Sequence, residues 1–505
     1  MAKVYLIYFD INTNMPPGLN HGLASLAAVL RKNGHSIGFY HLIREDNPET
    51  VVDKVLKFSP DIVGFSFATN QRKHLDIYSK AISRRSKVLQ VAGGIHPTLD
   101  PVDVFKVDSI QGVCIGEGEY TFPALLEKID SQEPVSGIPG FYWRIDGGLI
   151  RQNPIPPIEP DLSRLPFPDY SIFETGKINK YNSGWMPMMI SRGCPHNCSY
   201  CCNHAIRSVY PNPKDHLRFL PVEYAIKMIK NNLSKYSGIQ GIEFWDDNLT
   251  LDKRWFEEFS RLYEREVKLP FICYSRAEYI TEDICLTLKK SGCVLVKMGV
   301  ESGNEEFRRN ILNRSVSNNQ IIKAFKLLKD FDIQRLSFSV LGFPFETKEL
   351  MEETLLLNKR LKPDIGIVFY FFPFPKTELH SVCRRSNLLI ESSKRLTNFL
   401  EQPAIKPLYY KQKECIKVNY RIRTYFLSRI ITRNLPFCSE FISEALYFLL
   451  NIYPLSFFFR LLMNSAISRR VGLKSYYSQS MVVNRKRNIK QLLQEDVLEK
   501  EPVKL

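Results

Sequence analysis

Two spacings of hydrophobic residues take turns along the first 135 positions. Short apolar runs at Val4–Phe9, Ile62–Ser66 and Val88–Ala92 have the length and flanks of buried strands. Between them, Gly22–Lys32, Pro48–Phe58 and Leu75–Arg84 place apolar residues every three or four positions, the spacing of an amphipathic helix. Strand and helix in alternation predict an α/β, doubly wound, Rossmann-like parallel sheet with helices on both faces. Glycine-rich turns at Gly93-Gly94 and Gly116-Glu-Gly-Glu119 fall at strand ends, where such sheets bind ligands. The same glycines would equally serve as plain turns.

The pattern changes at residue 136. Prolines at 154, 156, 157, 160, 166 and 168 deny residues 136–185 a helix or central strand, because proline lacks a donor and clashes with the preceding turn. Leu149–Pro157 and Leu165–Asp169 read as an extended connector, with Phe141-Tyr-Trp-Arg144 as a small strand before it. From 186 to 385 strand-like runs return at Met186–Ile190, Gly241–Trp245, Phe271–Tyr274, Val294–Met298, Leu336–Leu341 and Gly366–Phe371. Helical segments such as Val222–Leu233, Lys253–Arg265 and Lys348–Leu361 separate them, giving six strand–helix units. Residues 386–505 form a last region of helical, aromatic and basic residues.

One stretch concentrates chemistry. Ser191-Arg-Gly-Cys-Pro-His-Asn-Cys-Ser-Tyr-Cys-Cys202 holds four of the chain's eleven cysteines. Cys194, Cys198 and Cys201 follow the spacing C-x3-C-x2-C. Three thiolates on a tight loop can hold three irons of a 4Fe–4S cube and leave the fourth open to bind and reduce a small molecule. A structural zinc site wants a fourth ligand, for which His196 or His204 is the candidate. Cys114, Cys273, Cys285 and Cys293 sit in apolar runs and are expected in the core; Cys202 is expected to be a bystander.

At 505 residues, 44% of them apolar and 24% charged, the chain has an ordinary globular composition and room for two or three domains. Met1–Phe9 runs straight into a strand with no signal-peptide pattern. Clustered, unpaired cysteines argue for a reducing cytoplasm. The net charge of +16 is unevenly spread: residues 406–490 carry 16 Lys or Arg against Glu414, Glu440 and Glu444. A basic face meets nucleic acid, an anionic membrane or an acidic substrate, and charge alone does not choose. No compact nucleic-acid-binding module is recognisable, so nucleic acid is not expected.

Arg192-Gly193 before Cys194, and Tyr200 before Cys201, complete a loop that resembles the signature of the radical S-adenosylmethionine (SAM) superfamily. There the open iron chelates the amino and carboxylate groups of SAM. The six units match that superfamily's partial (β/α)6 barrel, whose chemistry lies at the C-terminal strand ends. Five fragments at those ends fit in order: Trp245-Asp-Asp-Asn-Leu-Thr250, Ser275-Arg276, Gly299-Val-Glu-Ser-Gly303, Gly342-Phe-Pro-Phe-Glu-Thr347 and Phe372-Pro-Phe-Pro-Lys-Thr-Glu-Leu379. The resemblance implies that Arg276 pairs with the SAM carboxylate, that Glu301 and Ser302 approach its amino acid and ribose groups, and that Tyr200 and Gly342 belong to the same site. Phe345 and Lys376 depart from it, standing where the family's turns carry glycine. Asp246 is expected to face the cavity as a catalytic group beside Glu301, with Asp247 and Asn248 serving the turn and helix cap.

The N-terminal fragments Pro17-Gly-Leu, Gly22-Leu, Asp61–Ser66, Gly93–Thr98 and Gly116–Glu119 resemble the cobalamin-binding domain that precedes many radical SAM domains. This implies that Ser66, Gly93 and Gly94 line the pocket for the corrinoid's nucleotide tail, with Gly116 and Glu117 alongside. The D-x-H-x-x-G motif that supplies a cobalt ligand in many such folds is absent, since Asp10-Ile-Asn-Thr-Asn14 has no histidine there. Either cobalt lacks a protein ligand from below or the cofactor has been lost. His96 is expected to cap the following helix or face solvent.

The resemblance covers residues 1–385 and implies a cobalamin-dependent radical SAM enzyme with three cofactors: a 4Fe–4S cluster, SAM and cobalamin. SAM would be cleaved to a 5′-deoxyadenosyl radical, and a methyl group transferred to an unactivated carbon or to phosphinate phosphorus. An external flavodoxin- or ferredoxin-type protein would donate the electron. The alternative keeps the cofactors and performs oxidative cyclisation or rearrangement without methyl transfer. A third reading, a metal-bearing regulator acting on nucleic acid, predicts metal without SAM cleavage. At the C-terminal end, Phe437–Met463 is apolar but interrupted by Glu440, Glu444, Pro454 and Arg460, short of the run of about 20 residues a spanning helix needs. A helix lying on the inner membrane face fits, as does a helical cap over the barrel mouth. That composition suggests a lipid-like small-molecule substrate. The tail after Met481 is polar and expected to fray.

Overall fold

The computed structural model describes residues 1–11, 18–390, 400, 402–432 and 439–451. Pro17, most of Asp10–Asn14, the parts of Phe437–Met463 before Ser439 and beyond Asn451, and the tail after Met481 therefore lie outside the described residues. In the first sheet, Lys3–Phe9 (β1), Ser36–Leu42 (β2), Ile62–Ser66 (β3), Leu89–Gly93 (β4) and Gly112–Cys114 (β5) are parallel. Phe141–Arg144 (β6) and Ile150–Gln152 (β7) extend it antiparallel, in the order β2-β1-β3-β4-β5-β6-β7. Helices His21–Lys32 (α1), Pro48–Phe58 (α2), Lys73–Arg85 (α3), Ile95–Leu99 (α4), Pro101–Val104 (α5) and Thr121–Asp130 (α6) connect the strands.

Both faces of this sheet are covered, which is why its central strands read as unbroken apolar runs. Leu6, Ile62 and Val91 pack with Leu23 and Leu30 of α1 and Leu125 of α6. Their neighbours Ile7, Val63 and Ala92 pack with Val51 of α2 and Leu75 of α3 on the other side. The β2 strand had no counterpart in the sequence pattern. It is a sheet edge, half-buried along most of its length, so it carries no apolar run. The sheet also continues past residue 135, because β6 and β7 join it; the first part of the proline-rich connector belongs to this domain. The remainder lies against both domains, with Asp169 paired to Arg31 and Tyr224 donating to the Leu165 carbonyl, and forms the helix Thr175–Tyr181 (α7).

The second sheet starts at Trp185–Met188 (β8). Ser191–Arg192 (β9) pairs with Arg218–Phe219 (β10) in a separate ribbon. Gly241–Phe244 (β11), Phe271–Ser275 (β12), Cys293–Glu301 (β13), Gln334–Leu341 (β14) and Ile365–Tyr370 (β15) complete a parallel, curled half-barrel in the order β8-β11-β12-β13-β14-β15. The helices are Cys202–Arg207 (α8), Val222–Lys235 (α9), Lys253–Glu266 (α10), Glu282–Lys290 (α11), Glu305–Asn310 (α12), Asn318–Asp330 (α13), Lys348–Leu361 (α14) and Glu378–Arg385 (α15). Their starts are chemically marked: Asp252 caps α10, Thr347 caps α14, and Ser317 with Gln320 makes a reciprocal capping box on α13.

Residues opposed across a parallel ladder share a face. Met188, Phe244, Cys273 and Val296 therefore face the helices, and Trp185, Ile272, Leu295, Leu336 and Ile365 seal the floor of the inner face. Above that floor the inner face carries Tyr274, Phe338 and Phe369 and the buried pair Lys297–Glu243.

Gln412–Thr432 (α16) lies on the outer face of β15 and is paired to α14 through Arg421 and Glu352. Ser439–Asn451 (α17) packs on α16, where the Tyr420 hydroxyl donates to the Leu450 carbonyl at 2.9 Å. These helices cover a flank of the half-barrel. The described part of the predicted cap does not cover the mouth, although Tyr409 bridges to Thr347 at the C-terminal end of β14. No described helix is long and apolar enough to cross a membrane.

Gly366 makes room for α16, since a Cβ there would overlap the Phe426 ring. Gly366→Ala should lower unfolding stability by about 1–3 kcal/mol through overpacking. Adding Phe426→Ala should return part of that loss, a non-additivity that denaturant titration of the two single variants and the double variant would show.

Candidate active site

The cysteine loop leaves β8 under tight control. At the end of β11, the Asp246 carboxylate accepts the Ile190 N–H at 3.0 Å and the Ser191 hydroxyl. Asp246 is wholly buried, and burial pushes its carboxyl up to about 7 against those hydrogen bonds. It fastens the loop and does not line the cavity. Strand alternation explains the exchange of roles: Trp245 and Asp247 project to the side opposite Asp246 and line the cavity. Asp247 accepts from the Asn203 amide at 2.7 Å, and Asn248 accepts from Thr250. Further along, Gly193 has φ of +90°, and a Cβ on it would overlap His216.

Cys198 is buried, with Cys194 and Cys201 half-buried around it. Arg276 donates to Cys198 Sγ at 3.4 Å, and Arg207 donates to the Cys194 carbonyl at 2.9 Å. Burial pushes the Cys194 thiol up to about 11. Among the described residues, no group of three or more His, Cys, Asp or Glu is set to grip a single metal ion. The donor set is three cysteines on one loop, which suits a 4Fe–4S cube with one iron left for a small molecule.

Beside the loop, Tyr200 packs edge-on against Phe343. Glu301 sits in an irregularity of β13 with φ of +64°. Burial raises its carboxyl, and Arg314 and the Tyr200 hydroxyl oppose the shift. Arg314 reaches Glu301 at 3.4 Å and the Gly299 carbonyl at 2.7 Å. No motif pointed to Arg314, because only the fold brings it to this corner. Arg276 is held by Glu278 as well as by Cys198. Ser302 is wholly buried and its hydroxyl accepts the Asn304 N–H at 3.4 Å, a turn contact. The Gly342 N–H donates to Glu346, whose carboxyl burial pushes up to about 8. Phe345 and Lys376 take φ of +66° and +61°, so both turns keep a left-handed residue where glycine was replaced, at a cost of roughly 1–2 kcal/mol each.

A cavity of about 540 Å³ opens between the C-terminal ends of β1, β3, β4 and β5 and the cysteine loop. Ser66, Gly93, Gly94, Gly116 and Glu117 all line it. Gly94, with φ of +97°, lies so close to Ser66 that a Cβ would stand 3.1 Å from its hydroxyl. Met189, Gly193, Asn203, Tyr210, Trp245 and Asp247 form the opposite wall. Cys114, expected only as core, also borders the cavity. His96 neither caps a helix nor meets solvent; it is buried between Thr69 and Asp103, at 3.3 Å from each.

An ion-pair network borders this cavity. Arg192, next to Gly193, pairs with Glu117 at 3.1 Å and Glu119 at 2.7 Å, and buried Arg218 also grips Glu117. Burial opposes the charge on Glu117, but Arg192 and Arg218 outweigh it and hold the carboxyl below its usual range. The Tyr210 hydroxyl accepts the Glu117 N–H at 2.9 Å.

The sequence matches the family model of the radical SAM superfamily over residues 188–357 and that of the B12 binding domain over residues 16–126. The chain is a radical SAM enzyme with a B12-binding domain. It is 28% identical over 427 residues to an uncharacterized methyltransferase of Pyrococcus horikoshii, covering 81% of this chain and 87% of that one. It is 27% identical over 402 residues to an anaerobic magnesium-protoporphyrin IX monomethyl ester cyclase of Rubrivivax gelatinosus, covering 73% of this chain and 66% of that one. The fold resembles that of OxsB, a cobalamin-dependent SAM radical enzyme solved with aqua-cobalamin bound, with a TM-score of 0.69 at 15% identity. That likeness covers 99% of this chain and 81% of that one.

The cofactors of this radical SAM enzyme are SAM with a 4Fe–4S cluster, and cobalamin. The cysteine loop suits the cluster, and the glycine-lined cavity suits a bulky ligand approached by backbone. Replacing Cys194, Cys198 or Cys201 by Ala should each abolish reconstitution of four irons per chain, whereas Cys202→Ala should retain them. Iron and sulfide analysis with the charge-transfer absorbance near the cluster band checks both halves of that expectation.

Proposed function

We propose that this enzyme transfers a methyl group from cobalamin to an apolar small molecule seated in the half-barrel. The observation that carries this reading is the shared wall of the 540 Å³ cavity, which B12-domain glycines line on one side and the cysteine loop on the other. When bound, the cluster supplies one electron for SAM cleavage and cobalamin supplies a transferable methyl group. The chain's own residues hold and orient. Arg276, Arg314 and Glu301 border the SAM side of the cysteine loop, where their charges suit an amino acid's carboxylate and ammonium.

The inner face supports an apolar substrate. Tyr274 and Phe338 are parallel with ring centroids 6.0 Å apart, and Phe338 and Phe369 lie 5.8 Å apart at 30°. All three are part-exposed while pointing inward, a stacked platform that binds apolar area and keeps water from reactive intermediates. Relatives point the same way in part: the Pyrococcus horikoshii protein is named a methyltransferase.

A second reading, cyclisation without methyl transfer, rests on the relatives named as magnesium-protoporphyrin IX monomethyl ester cyclases. The two separate on products. Anaerobic turnover of the reconstituted holoenzyme with reductant, SAM and a lipid extract should yield 5′-deoxyadenosine, S-adenosylhomocysteine and a substrate heavier by one methylene. Deoxyadenosine without S-adenosylhomocysteine would select the cyclase reading. Neither product, from protein holding both cofactors, would refute both.

A further inference from the structure

Helix α17 turns its apolar side outward. At 100° per residue, Phe441, Ile442, Ala445, Phe448 and Leu449 fall within one arc of about 120°. Phe441, Phe448 and Leu449 are 78%, 66% and 50% exposed. The inward side is fully used, because Ser443 and Leu450 are buried against α16. Its acids are matched as well: Glu440 pairs with Lys362 and Glu444 with Lys359. Among the described residues, the outward stripe is therefore the unpartnered side of an otherwise well-docked amphipathic helix.

A cationic cavity adjoins it. About 450 Å³ opens between α13, the end of α14 and α16, and Glu440 of α17 forms part of its wall. Its two acids are spoken for, since Asp364 holds Arg335 at 2.9 Å and Glu440 holds Lys362 at 2.6 Å. Among the described residues, the lining cations Lys326 and Arg360 have no carboxylate partner, whereas Lys329 and Arg429 share Glu440 with Lys362, and Arg429 also donates to the Pro363 carbonyl at 3.2 Å. Arg335 and Asp364 stand at the starts of β14 and β15, so this surface is at the opposite end of the half-barrel from the cysteine loop.

We propose that this face docks on a bilayer bearing anionic phospholipid. The α17 stripe seats at the acyl boundary while Lys326, Lys329 and Arg360 meet headgroup phosphates. Charge selects this occupant over a second copy of the chain. Two copies joined through the stripe bring one set of unmatched cations against the other, whereas an anionic surface satisfies stripe and cations together. Docking here leaves the cofactor cavity and the mouth of the half-barrel clear of the membrane.

Vesicle flotation of the full-length chain tests the proposal. Binding is expected to phosphatidylcholine vesicles containing phosphatidylglycerol and to be much weaker on phosphatidylcholine alone. Added salt should weaken it, because exposed charges are screened. Phe441→Ser with Phe448→Ser, and separately Lys326→Glu with Lys329→Glu, should each reduce bound protein by roughly tenfold with cluster and cobalamin content unchanged. Failure of the wild-type chain to float with anionic vesicles overturns the proposal, as does undiminished flotation of both variants. A wild-type dimer in solution that Phe441→Ser with Phe448→Ser makes monomeric would assign the face to self-association instead. Retention on polyglutamate without flotation would assign it to an acidic protein.

Discussion

The buried meeting of Arg192 and Arg218 with Glu117 and Glu119 is the contact on which the rest of the site depends. Burying such charges costs several kcal/mol per ion before their attraction repays it, so the network is a weak source of net stability. Its effect is geometric. Arg192 stands two residues before Cys194, and Glu117 belongs to a glycine turn at the rim of the first sheet. Pairing them sets how the turn and the cysteine loop face each other, and so fixes the shape of the cavity between them. Asp246 complements this from the other side by fastening Ile190 and Ser191.

Around that junction the two sheets divide the work. The first offers glycine at its strand ends, where backbone can approach a large ligand. The second offers a loop of thiols, a corner of Arg276, Arg314 and Glu301, and an inner face with an aromatic platform over a sealed apolar floor. The cysteine loop lies where all of these meet. Such an arrangement would set a bulky cofactor in the cavity beside the cluster loop, which suits chemistry that must exclude water.

Most of this was legible in sequence where a local pattern carried it. The cysteine spacing and the buried strands each depend on neighbours a few residues away, and the structure places them accordingly; the expected caps did not hold, since Asp252 rather than Asp247 or Asn248 caps α10 and His96 is buried between Thr69 and Asp103. The edge strand β2 escaped because one-sided burial leaves no apolar run. Asp246 and Asp247 exchanged roles because at a strand end one residue of phase decides which side faces the cavity. Arg218 and Arg314 left no trace, since Arg218 meets Glu117 from 101 positions away and Arg314 meets the cysteine loop only through the fold. Phe345 and Lys376 raised doubt about two turns that kept their left-handed shape without glycine.

The central claim is that one cavity brings the cobalamin site up against the cluster loop. Electron paramagnetic resonance of the anaerobic holoenzyme, carrying cob(II)alamin with the cluster either oxidised or reduced, tests it most directly. The account predicts that reducing the cluster broadens the cobalt signal and speeds its relaxation, because two paramagnets then share one enclosed site. A cobalt signal identical in both states of the cluster would contradict it.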